Sequence, residues 1–183
     1  MSGLQTVLLL GLAFLGVFAE AVIDFPRNWL GAQLNLLPPL VVYAALTAEV
    51  SQLALVASVG GLCSDALSGN PLGVSVLPLF WVGLALLWWR DLILRQLPYA
   101  QVVLGALASA AVFGLTLVVL LTLGERPLLG WGTLWQMLVA AGGGAGLTPL
   151  AFKALQRMQR AFAYQPVRPP PFSPDREIKR GRY

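Results

Sequence analysis

Hydrophobic residues dominate six stretches of the chain, and short segments with charged or turn-forming residues separate them. The stretches cover roughly residues 4–23, 34–48, 51–66, 73–89, 99–123 and 133–153. A helix needs about 20 residues to cross the hydrocarbon core of a bilayer, which is about 30 Å thick. The first, fifth and sixth stretches meet this requirement. The second and third are short, so they tilt little, thin the bilayer locally or pack inside a bundle. The pattern predicts six membrane-crossing helices, or five if the second and third form a re-entrant hairpin.

The composition favours lipid over water as the solvent of this chain. Hydrophobic residues make up 57% of the 183 positions and charged residues 11%, against about 25% charged in soluble domains. A water-soluble chain of this length cannot bury so much apolar side chain, because its surface would also be largely hydrocarbon. We therefore expect an all-α integral membrane protein, with a six-helix domain over residues 1–163 and a proline-rich, basic tail over 164–183.

Positive charge is concentrated near the C-terminus. Eight of the twelve Lys and Arg residues lie beyond residue 150, and two more lie between the fourth and fifth stretches. Six crossings place both regions on one side, and segments rich in Lys and Arg stay in the cytoplasm. We expect both termini there, with the sixth helix continuing beyond its last apolar residues. The partner for this charge is anionic lipid rather than nucleic acid. The candidate lipid contacts are Arg90, Arg95, Lys153, Arg157 and Arg160.

The first stretch shares one feature with a secretory signal peptide, since Ala19-Glu20-Ala21 has the small-x-small form of a cleavage site. Such a signal carries a basic segment before its apolar region. No Lys or Arg precedes this stretch. We therefore interpret it as a retained first helix.

Small residues recur four positions apart in three of the predicted helices. Lipid supplies little hydrophobic drive for helix association, and small residues let two backbones approach closely. The pairs are Ala57 with Gly61, Gly105 with Ser109, and those within the run from Gly142 to Gly146. They indicate either packing within the chain or a face that receives the helix of a partner. The candidate residues for that face are Ala57, Gly61, Gly142, Gly143 and Gly146.

The segment 60–73 combines turn-forming residues with an acid, Asp65. Asn70-Pro71 suits an N-cap followed by the first position of the fourth helix. A carboxylate near a helix C-terminus opposes the helix dipole and is costly near hydrocarbon, so it needs hydrogen-bond donors. We expect the amides of the turn, or those at the start of the fourth helix, to supply them, and contact with a ligand or partner is the alternative. The candidate residues of this turn are Asp65, Ser68, Gly69, Pro71 and Gly73.

Groups suited to catalysis or metal binding are scarce in the sequence. The chain has no histidine and a single cysteine, Cys63, so it lacks imidazole ligands and cannot form an internal disulfide. Paired carboxylates, a nucleophile with a base, and phosphate-binding loops do not occur. We expect no enzymatic activity and no cofactor.

The six short stretches, the basic end and one turn motif resemble MreD, the rod shape-determining membrane protein family of bacteria. The motif is Gly61-xxx-Asp65-xx-Ser68-Gly69-x-Pro71-Leu72-Gly73, and Pro38-Pro39-Leu40-Val41-Val42-Tyr43 at the second helix is similar too. The resemblance covers roughly residues 30–160. It implies a non-catalytic scaffold of the cell-elongation machinery in the bacterial cytoplasmic membrane, which binds the bitopic protein MreC and supports peptidoglycan synthesis and cell shape. It also implies links to the RodA glycosyltransferase, a class B penicillin-binding protein and the MreB filament.

A second function follows from architecture. MreD-like proteins are similar to the substrate-binding subunits of energy-coupling-factor vitamin transporters, which are also small six-helix bundles. Those subunits dock through an Ala-xxx-Ala pair in the first helix. Here the residue four positions after Ala13 is Val17, and the residue four positions after Gly16 is Glu20. This difference favours the scaffold, with a transporter subunit for a vitamin or other small molecule as the alternative. A membrane enzyme ranks third.

Overall fold

The computed structural model describes residues 3–22, 31–32, 34–90, 98–124 and 130–162, and all regular elements in these ranges are helices. Six helices form in this part of the chain, as the hydrophobic pattern predicts. They are α1 (Gly3–Val22), α2 (Leu37–Thr47), α3 (Val50–Ser68), α4 (Val76–Trp89), α5 (Pro98–Thr122) and α6 (Trp131–Phe162). Of the candidate residues, Arg95 lies outside the described residues, as do the tail 164–183 and the side chain of Arg160.

The shortest helix, α2, lies at the centre of the bundle. It packs against all five other helices, which neighbour one another in the order α1, α3, α4, α5, α6. All of its residues from Leu37 to Leu46 are buried. The ring of Tyr43 meets the Phe152 ring of α6 edge-on, with 4.8 Å between their centroids. The hydrophobic core is therefore built around a single short helix.

Three helices are long and apolar enough to cross a membrane, namely Val50–Ser68, Tyr99–Thr122 and Trp131–Met158. The apolar parts of the other three are shorter, at Thr6–Val22, Leu37–Thr47 and Val76–Trp89. The pattern predicts a short third helix, but α3 has 19 residues because it continues to Ser68 before Gly69 ends it. Helix α2 has 11 residues and is therefore about 16 Å long. It packs inside the bundle, which is one of the arrangements expected for a short second helix.

Large apolar side chains cover the outside of this bundle. Trp88, Trp131 and Leu138 are each more exposed than buried. Extended apolar surface of this kind is rare on soluble monomers and is what a helix bundle presents to lipid. Together with the three long helices, it indicates a membrane protein.

The fourth helix begins later than the pattern predicts. Its first residue is Val76 and its N-cap is Ser75, so the prediction that Asn70-Pro71 caps this helix is wrong. Gly73 has a φ of 95°, which lies outside the helical region. A helix cannot start across this residue, and the chain forms a turn over residues 69–75 instead. We call the end of the bundle that carries this segment the turn end.

Candidate functional site

Asp65 ties the last turn of α3 to the start of α4. Its side chain is fully buried, and Oδ2 accepts a hydrogen bond from the backbone N–H of Gly73 at 2.8 Å. The N–H of Ser75 donates to the same carboxylate, at 3.1 Å from Oδ2 and 3.2 Å from Oδ1. The side chain of Ser75 makes no capping bond. Asp65 instead accepts from the backbone amide of Ser75, the residue before the first turn of α4, where negative charge is favoured by the helix dipole. This is the structural role expected from the sequence.

The other residues of the turn motif divide into two groups. Gly69 and Gly73 have φ values of 69° and 95°, a backbone conformation that glycine adopts far more readily than other residues. Ser68 and Pro71 are exposed at the turn end. Backbone geometry therefore accounts for the two glycines, while Ser68 and Pro71 offer surface that a partner could contact.

Helices α5 and α6 cross at glycine. A Cβ on Gly105 would collide with Thr148 and the carbonyl of Gly144, and a Cβ on Gly144 would collide with Ser109 and the carbonyl of Gly105. The Thr148 hydroxyl donates to the Gly144 carbonyl at 2.7 Å. The predicted Gly105 and Ser109 pair thus packs within the chain. On α6 it packs against Gly144 and Thr148, which also stand four positions apart. Neither residue was among the candidates from the sequence.

Three of the five residues proposed for the partner face pack inside the bundle, and two are exposed. Ala57 is buried, and a Cβ on Gly61 would come within 2.9 Å of the Val76 backbone, so both residues pack inside the bundle. Gly143 packs against the side chain of Leu34. Gly142 and Gly146 behave differently, because both are exposed and no atom of the described residues lies within 4 Å of a Cβ built on either.

Described cations lie at the end of the bundle opposite to the turn end. Arg90 caps the C-terminus of α4 and is half-buried. Helix α6 continues to Phe162, which confirms that it extends beyond Lys153, and both Lys153 and Arg157 are exposed along it. Their positions are compatible with contact to anionic headgroups.

A polar cavity of about 240 Å³ lies at the turn end, next to the start of α2. It exists because the central helix is short. The Leu37 side chain would lie 2.8 Å from a Cβ on Gly60, so the last two turns of α3 extend past the first residue of α2 and leave a recess. Every helix or the segment before it contributes a polar side chain to the lining, among them Glu20, Asn35, Ser64, Ser75, Ser109 and Gln136.

The N-terminus of α2 borders this cavity, yet its backbone amides are already accounted for. The N–H of Leu37 donates to Asn35 Oδ1 at 3.0 Å, and the next two residues are prolines, which have no N–H. The N–H of Leu36 donates to the Glu20 carboxylate. A helix start normally leaves four amides without partners. Here all four are bonded or absent, so this helix start offers no donor to a ligand.

Glu20 is a candidate functional residue that the sequence analysis did not single out. Its carboxylate holds Leu36, but Oε2 is buried and has no hydrogen-bond partner within the described ranges. Ser109 Oγ in α5 is likewise buried and unbonded in that part of the chain. The available signal was the acid itself, because ionisable residues in apolar helices mark functional positions in membrane proteins by default.

The chain matches no protein-family model, no curated protein and no solved structure. Among the described residues, no group of three or more His, Cys, Asp or Glu side chains could hold a metal ion. The candidate site therefore consists of three features: the Asp65 turn, the open glycines of α6 and the polar cavity.

Proposed function

We propose that this protein is a non-catalytic membrane scaffold of the MreD type, which binds the transmembrane helix of MreC within the bacterial cell-elongation complex. The proposal rests on the sequence resemblance and on one structural observation, the open pair Gly142 and Gly146 on α6. The links to RodA, a class B penicillin-binding protein and MreB remain what the resemblance implies. The basic end supports placing both termini in the cytoplasm.

Packing within the described part of the chain does not require glycine at either position of this pair. Glycine in a helix interior costs about 1 kcal/mol relative to alanine, and internal packing compensates for this at Gly144 but not at Gly142 or Gly146. Two glycines four residues apart form a shallow groove into which the backbone of a second helix fits. A partner helix on this face would explain both residues.

The surroundings of the pair suit an apolar, single-span partner. Helical periodicity places Trp135, Leu138 and Lys153 on the same face as Gly142 and Gly146, and all five are exposed. The apolar side chains lie on the turn-end side of the glycines, and the lysine lies on the other side. A helix that crosses the membrane beside α6 would contact the apolar residues and leave the lysine to anionic headgroups.

Co-purification with MreC tests this function. The native chain, expressed with tagged MreC, is expected to co-purify in detergent and to restore rod shape in cells that lack their own MreD. Gly142→Leu with Gly146→Leu is expected to abolish both, because two side chains would fill the groove. Gly11→Leu is the matched control, since Gly11 is exposed on α1 with no described atom within 4 Å of its Cβ position.

Two results would contradict parts of this proposal. Failure of the native chain to co-purify with MreC would contradict the scaffold function. Retained co-purification by the double variant, together with loss in Gly11→Leu, would place the partner on a different face.

The polar cavity favours a second function, that of a substrate-binding subunit of a small-molecule transporter. Such subunits hold their ligand inside a small helical bundle, and a recess lined by polar side chains from all six helical regions is compatible with this. Mass spectrometry of the gently purified protein separates the two functions. A stoichiometric vitamin would favour the transporter subunit, and its absence together with bound MreC would favour the scaffold.

A further inference from the structure

Two side chains that line the polar cavity each carry a buried oxygen atom without a hydrogen-bond donor. Glu20 Oε2 and Ser109 Oγ are buried and unbonded within the described ranges, and the Ser109 side chain is only 3% exposed. Buried polar groups in proteins almost always have a partner. Close contact with Gly144 explains why a small residue stands at position 109, but alanine would satisfy that requirement without a hydroxyl.

The two acids near the turn end are used differently. Both oxygens of Asp65 have a donor, because Oδ2 accepts from the amides of Gly73 and Ser75 and Oδ1 accepts from that of Ser75. Glu20 holds one amide, that of Leu36, and keeps its second oxygen free of any described donor. The structural role of Glu20 therefore uses only part of its hydrogen-bonding capacity.

The lining of the cavity combines one carboxyl group with hydroxyl and carboxamide side chains. Glu20 is the one ionisable side chain in the lining that the structure describes. Thr116 also lines the cavity. Its hydroxyl donates to the Val112 carbonyl at 2.8 Å, so it can act only as an acceptor towards the cavity. Glu20 Oε2 and Ser109 Oγ can both accept a hydrogen bond, and an ammonium group supplies three N–H donors and one positive charge.

We propose that this cavity binds the ammonium group of a small primary amine, with the Glu20 carboxylate as counter-ion and the Ser109 hydroxyl as a second acceptor. The volume of about 240 Å³ is below the range of about 300–1,000 Å³ that holds drug-sized ligands. It suits a molecule of the size of ethanolamine. The source is either a free amine or the ethanolamine headgroup of a membrane lipid.

Thermal unfolding of the purified full-length chain in detergent tests the site, since a ligand that binds only the folded state raises the unfolding temperature, and the rise grows with the logarithm of the ligand concentration above its Kd. Ethanolamine is expected to give such a concentration-dependent rise. Tetramethylammonium at equal ionic strength carries the charge but no N–H and is expected to give none. Equal effects of the two cations, or no rise with ethanolamine in any preparation, would overturn the proposal.

Three variants locate the effect. Glu20→Gln keeps an oxygen for the Leu36 amide and removes the charge, so the apparent affinity is expected to fall at least about tenfold. Ser109→Ala is expected to weaken binding by about three- to tenfold. Glu49→Gln, an exposed acid between α2 and α3 at the opposite end, is the matched control and is expected to bind like the native chain. Native affinity in both Glu20→Gln and Ser109→Ala would show that the cavity is not the binding site.

Lipid nanodiscs distinguish the two sources of the amine. The chain is reconstituted in phosphatidylcholine with and without phosphatidylethanolamine, and the Glu20→Gln variant is compared in each. A rise in unfolding temperature that requires phosphatidylethanolamine and Glu20 would assign the site to a lipid headgroup. A rise with free ethanolamine alone would assign it to a soluble amine. Both outcomes support the ammonium site, and dependence on neither amine would overturn it.

Discussion

The two ends of this bundle are built in different ways, although the same six helices form both. Around Tyr43 and Phe152 the central helix is present, and apolar side chains fill the space between the helices. At the turn end α2 has not yet begun, so the surrounding helices border a polar cavity, and backbone amides donate hydrogen bonds to the carboxylates of Asp65 and Glu20. The length of one helix thus decides where the molecule is a packed core and where it has room for a ligand.

The difference also separates two kinds of stabilisation. Dispersion and close packing hold the end around Phe152, and they depend on volume and shape. Carboxylates that bind backbone amides hold the turn end, and they depend on donors and acceptors being matched. Substitutions in the two regions should therefore differ in the size of their effect on stability.

The largest loss of stability is expected from Phe152→Ala. Phe152 is buried against the central helix, and removing a buried aromatic ring costs about 3–5 kcal/mol because a cavity remains. Reversible unfolding by SDS titration in mixed micelles measures this loss. Leu150→Ala on the same helix is the control and should change little, because Leu150 is exposed. A small loss for Phe152→Ala would contradict the view that this end is close-packed.

Gly144→Ala is expected to cost somewhat less, about 3 kcal/mol, because its Cβ would meet backbone that cannot rotate away. Gly142→Ala and Gly146→Ala should have the opposite sign. No described atom obstructs a Cβ at either position, and alanine favours the helix by about 1 kcal/mol. The same titration on the three single variants tests this contrast. Equal destabilisation of all three would mean that the glycine run packs internally on every face.

A loss of about 1–3 kcal/mol is expected for Asp65→Ala, since the amides of Gly73 and Ser75 would lose their acceptor. Asp65→Asn should recover part of this loss because it retains one carbonyl oxygen. Amide hydrogen exchange at residues 73–75, which should accelerate in the alanine variant, localises the effect. Unchanged exchange there would show that Asp65 does not hold the turn.

The smallest effect is expected for Ser109→Ala in the absence of any amine, within about 0.5 kcal/mol of the native chain. The hydroxyl makes no hydrogen bond among the described residues, so its removal breaks none. SDS titration of lipid-free protein measures the change. Destabilisation by more than about 1 kcal/mol would indicate a bonded hydroxyl and would weaken the contrast between the two ends.

Sequence reasoning succeeded where the signal was local. The number of helices, their approximate positions, and the need of Asp65 for nearby amide donors all follow from runs of apolar residues and from one acid beside a turn. It failed at the start of α4, where the positive φ of Gly73 overrides the Asn70-Pro71 signal. It also underestimated α3, because turn-forming residues near Ser68 continue that helix.

The faces of the helices could not be predicted for a physical reason. In water, polar residues mark the outside of a helix, but lipid is as apolar as a protein core and erases this contrast. Gly142, Gly144 and Gly146 are therefore equivalent in the sequence. Only the crossing of α5 places Gly144 inside and leaves the other two on the surface.

The amino-acid sequence was sufficient to establish an all-helical chain suited to lipid, its six apolar segments and the concentration of positive charge at its end, because these depend on composition and on neighbouring residues. The tertiary structure alone decided that the shortest helix occupies the centre, that a polar cavity opens beyond its first residue, and that one pair of glycines stays open. Those features depend on the relative heights and rotations of helices that are far apart in the chain, and no local pattern encodes them.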